Sequence, residues 1–113
     1  MTQDISKSER RVKHLVRLPQ MVRVRPSQSN EFDEIQSTIN SGREGVYFGT
    51  ELIFYFKGMR LLVTFPYSTE LGAINQEYIG EVVRVDALPE GKFGIAVHLK
   101  QRINLGTYGT HRR

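Results

Sequence analysis

The chain has 113 residues, 39% of them hydrophobic and 25% charged, with a formal net charge of +4. That is room for one domain with a modest core, and the balance of apolar to charged residues excludes a wholly disordered chain. Cysteine is absent, which removes disulfide scaffolds, thiolate metal sites and cysteine nucleophiles together.

No apolar run approaches the ~20 residues that a membrane-spanning helix needs, and the first residues lack the apolar stretch of a secretory signal. The cytoplasm is the expected compartment. Residues 1–8 are polar without a sustained period and read as a flexible arm. The arm and the segment after it are basic: Lys7, Arg10, Arg11, Lys13, Arg17, Arg23 and Arg25 stand against Asp4 and Glu9. Residues 31–57 reverse the balance, with Glu31, Asp33, Glu34, Glu44 and Glu51 against Arg43 and Lys57. An anionic partner is therefore expected near the N-terminus.

From residue 21 to 25, Val22 and Val24 alternate with Arg23 and Arg25, a short strand ended by Pro26 and the turn residues Ser27, Ser29 and Asn30. Less marked strands fit residues 32–39 and 45–50. Between them lies the loop Ile39-Asn40-Ser41-Gly42-Arg43-Glu44-Gly45-Val46-Tyr47-Phe48. By itself it reads as a turn whose glycines supply positive φ. In 59–65 the apolar residues Met59, Leu61, Val63 and Phe65 share one face. In 92–100 Phe93, Ile95, Val97 and Leu99 do the same, against Lys92, Gly94, Ala96, His98 and Lys100. Period two is the pattern of a half-buried strand. The β-branched run 77–86 joins 92–100 through Leu88-Pro89-Glu90-Gly91, which is turn chemistry between antiparallel strands. Six strands and no long helix predict an all-β, antiparallel barrel or sandwich. Its core is expected to hold Met59, Leu61, Val63, Phe65, Val83, Val85, Phe93, Ile95, Val97 and Leu99. The domain is expected over residues 9–101, followed by a tail over 102–113.

Nothing points to catalysis. His14, His98 and His111 are scattered without metal-ligand spacing. Neither a phosphate loop ending in lysine and Ser/Thr nor a nucleophile elbow is present. Glu31, Asp33 and Glu34 read as solvated carboxylates. A non-enzymatic chain without metal or cofactor is the expectation.

The order of parts carries more information than any one of them. The stretches ERRVKHLVRLP, TINSGREGVYF, RLLVTFPY and YIGEVVRVDALPEGKFGIAVHL, in this order and spacing, resemble the PilZ domain, a bacterial receptor for cyclic di-GMP. The resemblance covers residues 9–100. It implies a six-stranded antiparallel split β-barrel with a flexible basic N-terminal arm. In that family an RxxxR segment lies over the barrel and faces a (D/N)xSxxG loop. Arginines hold phosphates and guanine edges, and the Asp/Asn and Ser side chains hydrogen-bond the guanines. A guanidinium suits this because its planar fork makes two bonds at once to a phosphate or to the O6/N7 edge of guanine.

Carried over residue by residue, the resemblance assigns ligand contacts to Arg10, Arg11, Lys13 and Arg17 in the basic segment that follows residues 1–8, and to Asn40, Gly42 and Gly45 in the loop. The chain departs from the family pattern at two places. Its arm offers KxxxR, as Lys7/Arg11 and Lys13/Arg17, and its loop reads NxGxxG, without the serine. Lysine is a point charge and does not replace the fork. The resemblance thus implies cyclic di-GMP binding that is relayed to a downstream protein. The alternative is a PilZ barrel that binds no nucleotide and acts as a protein-interaction adaptor. Single-stranded nucleic acid is a weaker reading, because stacking aromatics are needed on a binding face and Tyr47 and Tyr55 are the only platforms left outside the expected core.

Overall fold

The computed structural model describes residues 19–103. Arg10, Arg11, Lys13 and Arg17, the arm at 1–8 and the chain beyond Ile103 lie outside the described residues. The strands are β1 (Met21–Pro26), β2 (Glu34–Ser41), β3 (Gly45–Thr50), β4 (Arg60–Thr64), β5 (Glu77–Ala87) and β6 (Phe93–Ile103). They close into one barrel in the order β1-β2-β3-β6-β5-β4, with every pairing antiparallel. Each of the six expected strands is present. No helix among the described residues is long and apolar enough to cross a membrane.

Alternation builds the interior. Val22 and Val24 of β1, Val46 and Phe48 of β3, Leu61 and Val63 of β4, and Ile95 and Val97 of β6 all point inward and are buried. Each such side chain contributes roughly 1.5–3 kcal/mol over leaving it exposed. In barrel order β3 and β4 stand on opposite walls, so the chain between them crosses the barrel end. Tyr55 and Met59 of this crossing are buried. Tyr55 meets Phe48 edge-on at 5.7 Å and Phe32 at 4.9 Å. The 3-10 turn Pro89–Gly91 joins β5 to β6, with Glu90 and Gly91 at positive φ; at Gly91 the missing Cβ makes that conformation easy.

The expected core needs two corrections. Met59, Leu61, Val63, Phe65, Ile95 and Val97 are buried, and Phe93 and Leu99 pack half-buried against them. Val83 and Val85, however, are 43% and 37% exposed, and Val82 is buried in their place. The reason is a β-bulge. Val82 pairs with Val97 and Arg84 with Ala96, so Val83 is an extra residue without a partner. Beyond the bulge Val85 returns to the inner side opposite Ile95, but at the barrel end under the β3–β4 crossing, where it lines a small cavity with Leu52, Ile53 and Phe93.

Strand β2 runs against the usual pattern. Its inward positions are Glu34, Gln36 and Thr38, opposite Val24, Val22 and Phe48, while Ile35 and Ile39 face out. Glu34 is therefore not a solvated carboxylate. It accepts hydrogen bonds from Thr50 Oγ1 (2.6 Å), the Tyr55 hydroxyl (2.6 Å) and Gln36 Nε2 (2.7 Å). Asp33 is engaged by both Nε and Nη2 of Arg23 at 2.8 and 2.6 Å. That pair is exposed and stabilises the fold by at most about 1 kcal/mol.

Two predictions follow from this packing. Val82→Ala should lower stability by about 2 kcal/mol, through lost burial and the cavity left behind. Val83→Ala should change it by less than about 0.5 kcal/mol. Urea midpoints of the two variants measure this, and equal losses would contradict the bulge. The second concerns Tyr55, whose phenol is pushed well above its usual range by burial and then by the bond to Glu34. A raised folded value means that this stabilisation is intact below the ordinary phenol pKa of ~10 and is lost as pH rises through the folded value. In an alkaline absorbance titration, the Tyr55 phenolate should appear only together with unfolding, and Tyr55→Phe should remove that step.

Candidate functional site

The outer face of β2, β3, β6 and β5 carries a shallow groove of about 760 Å³, within the size range of small-molecule sites. Register explains its shape. Asn40 pairs with Tyr47, Tyr47 with Ala96, and Ala96 with Arg84, so these four form one row across four strands. The neighbouring rows set Gly45 beside His98 and Glu81, and Gly49 beside Gly94 and Asp86. Gly45 and Ala96 give the groove a low floor between Asn40 on one side and Arg84 on the other, with Tyr47 in the same row. Three inter-strand steps separate those two, about 14 Å.

The loop residues expected to bind ligand, Asn40, Gly42 and Gly45, all line this groove. Their local roles differ from the turn reading. Neither glycine has positive φ. The Gly42 N–H donates to the Gly45 carbonyl at 2.9 Å and closes the β2–β3 hairpin. A Cβ on Gly45 would lie 2.7 Å from the Val97 carbonyl oxygen, whereas one on Gly42 would meet nothing within 4 Å. Gly45 is glycine because β3 and β6 approach closely there. Position 42 has room for a side chain.

Arg84 and Asp86, which no sequence pattern nominated, meet Tyr47, which was named only as a stacking platform. Tyr47 donates its hydroxyl to Asp86 Oδ2 at 2.7 Å, and its ring crosses Gly94 so closely that a Cβ there would fall inside the phenol. Arg84 Nε donates to both Asp86 oxygens at 3.0 and 3.1 Å, and its guanidinium lies 5.5 Å from the centre of the Tyr47 ring. The bond from Tyr47, then that from Arg84, hold the Asp86 carboxyl below its usual range, and Asp86 in turn raises both Tyr47 and Arg84. The signal available in the sequence was the set of small residues Gly49, Gly94 and Ala96 on outward positions near one tyrosine. Tyr55, the other aromatic considered as a stacking platform, is buried in the barrel end. His98 lines the groove as well.

Compared with family models, curated proteins and solved structures, the chain matches none of them.

The basic arm joins the barrel beside the groove. The Thr38 N–H donates to the Gln20 carbonyl at 2.8 Å, and the Gln20 N–H donates to Thr38 Oγ1 at 3.2 Å. Thr38 is two residues from Asn40, and Arg17 is three residues before Gln20. The charged residues lining the groove are Glu44 and Arg84; Arg84 pairs with Asp86, and nearby Lys100 pairs with Glu81 at 2.9 Å.

The glycine geometry predicts a split between the two loop positions. Gly45→Ala should cost about 1–3 kcal/mol through overpacking against the β6 backbone, and Gly42→Ala less than about 0.5 kcal/mol. Denaturant unfolding of the two variants measures the difference.

Proposed function

We propose that this chain is a PilZ-type domain, a non-catalytic receptor for cyclic di-GMP that relays ligand level to a downstream protein. One observation carries the reading. The three loop positions that the resemblance nominates line one outer-face groove, and the strand bearing Asn40 is hydrogen-bonded to the residue through which the basic arm enters. In this reading the nucleotide lies on the floor of Gly45 and Ala96, with Asn40 bonding a guanine. Arg10, Arg11, Lys13 and Arg17 close over the phosphates, and the ordering cost of the arm is offset by charge-assisted bonds.

The groove itself is close to electroneutral, so the arm must supply the charge that attracts a doubly anionic ligand. A calorimetric titration of the full chain with cyclic di-GMP tests the proposal. Modest affinity is expected, abolished by charge reversal at Arg10 or Arg11. Asn40→Ala should weaken it by about 1–3 kcal/mol, the cost of one lost polar partner. Gly42→Ser should strengthen it, since the space at position 42 admits the missing hydroxyl.

A second reading has its own support. Ile53, Phe54 and Phe56 are 75%, 48% and 59% exposed in the crossing that closes one barrel end, and clustered exposed apolar residues mark interaction surfaces. An adaptor acting through that end predicts no heat with cyclic di-GMP from folded protein.

A further inference from the structure

Arg84 is held in an arrangement that leaves its recognition edge available. Of the five guanidinium N–H donors, only the one on Nε is used, shared between the two oxygens of Asp86. Both Nη groups are without a hydrogen bond among the described residues, and the side chain is 62% exposed. Asp86 is itself fixed, because Tyr47 donates to it, and the Tyr47 ring beneath the guanidinium limits where that group can swing. An arginine needed only to neutralise Asp86 would serve equally well on an open strand. Here it sits at the end of the row that begins with Asn40, across a floor of small residues, in the wall of the groove.

We infer that Arg84 is a ligand-contacting residue of this groove, giving the bound nucleotide the two-pronged guanidinium contact that Lys13 in the arm cannot make, with Tyr47 and Asp86 as its positioning residues. The inference rests on the cyclic di-GMP reading and adds a residue on β5, outside both the arm and the loop. The chemistry is specific to arginine. Two parallel N–H donors match either a pair of phosphate oxygens or the O6/N7 edge of guanine, whereas an ammonium offers a single compact charge. Engagement of Nε by Asp86 sets the plane of the fork before the ligand arrives, so less freedom is lost on binding.

The test is calorimetric titration of the full-length wild type, Arg84→Lys and Arg84→Ala with cyclic di-GMP and, in parallel, cyclic di-AMP. Thermal melts confirm that each variant is folded, and the exposed position of Arg84 favours that. Arg84→Lys should weaken cyclic di-GMP binding about tenfold or more despite the conserved charge, the worth of one charge-assisted bond, and Arg84→Ala should weaken it further. A loss confined to cyclic di-GMP assigns the fork to the guanine edge, and a loss shared by both ligands assigns it to the phosphates. Wild-type affinity in Arg84→Lys overturns the inference even if Arg84→Ala binds weakly, because a point charge then suffices. A folded wild type that binds neither nucleotide overturns the receptor reading beneath it, an outcome distinct from binding that ignores position 84.

Discussion

A single extra residue in β5 decides which side chains face the core and which face the groove. Up to Val82 the inward positions of β5 are even-numbered, and Val82 fills the barrel opposite Val97. Strict alternation from there would turn Arg84 and Asp86 inward, into a core lined by valine, leucine and isoleucine. Burying a charged pair among such residues costs several kcal/mol per ion before any mutual attraction is counted. The bulge at Val83 reverses the parity. Val85 and Ala87 take the inner side, and Arg84 and Asp86 come out beside Tyr47. On β5 the core and outer faces are therefore set by this bulge, and an unpaired Ile39 turns Asn40 outward on β2 in the same way; a bulge re-aims side chains without breaking the sheet.

The same sheet explains why the outer surface, and not the interior, carries the candidate site. A six-stranded barrel is narrow enough for its own side chains to fill, and here Phe48, Leu61, Ile95 and six valines do so. Outside, Gly45 and Ala96 leave the face low within the groove, while Gly49 and Gly94 beside it lie against neighbouring side chains. Tyr47 covers part of this floor by lying across Gly94, and it ties the row to Asp86. Close approach of β3 and β6 at Gly45 keeps the floor flat. The groove is made by small residues under register control, with side chains of chemical use only at its two sides.

These facts also mark how far the sequence could be read. Strands whose apolar residues alternate, 59–65 and 92–100, were legible because one face of each is buried and the other is wet. β2 was faint because its inward residues Glu34, Gln36 and Thr38 are polar, with Glu34 held by bonds from Thr50 and Tyr55 that only the closed barrel creates. Val83 was misplaced because a bulge leaves no mark in a run of β-branched residues. At the site, Asn40, Gly42 and Gly45 are adjacent in sequence and could be nominated as a group. Arg84, Tyr47 and Asp86 could not. They meet through the pairings of β3 with β6 and of β6 with β5, across gaps of up to 39 residues, and no local pattern encodes a three-strand register.

Under the proposed function, affinity and identity come from different parts of the chain. The barrel offers shape, a planar floor and a few oriented polar groups, but Lys100 and Arg84 already have Glu81 and Asp86 as partners. It has little net field with which to draw an anion. The basic segment before β1 has the opposite character, with Lys7, Arg10, Arg11, Lys13 and Arg17 against Asp4 and Glu9. A ligand bound between them would owe its attraction mainly to the arm, screened by salt over about 8–10 Å, and its selection mainly to Asn40 and Arg84. Replacement of arginine by lysine in the arm weakens directional recognition there while leaving attraction intact. Loss of the fork in one element then raises the demand on the other. A pre-oriented guanidinium on β5, across the groove from Asn40, is the group on the described barrel with the chemistry to meet it.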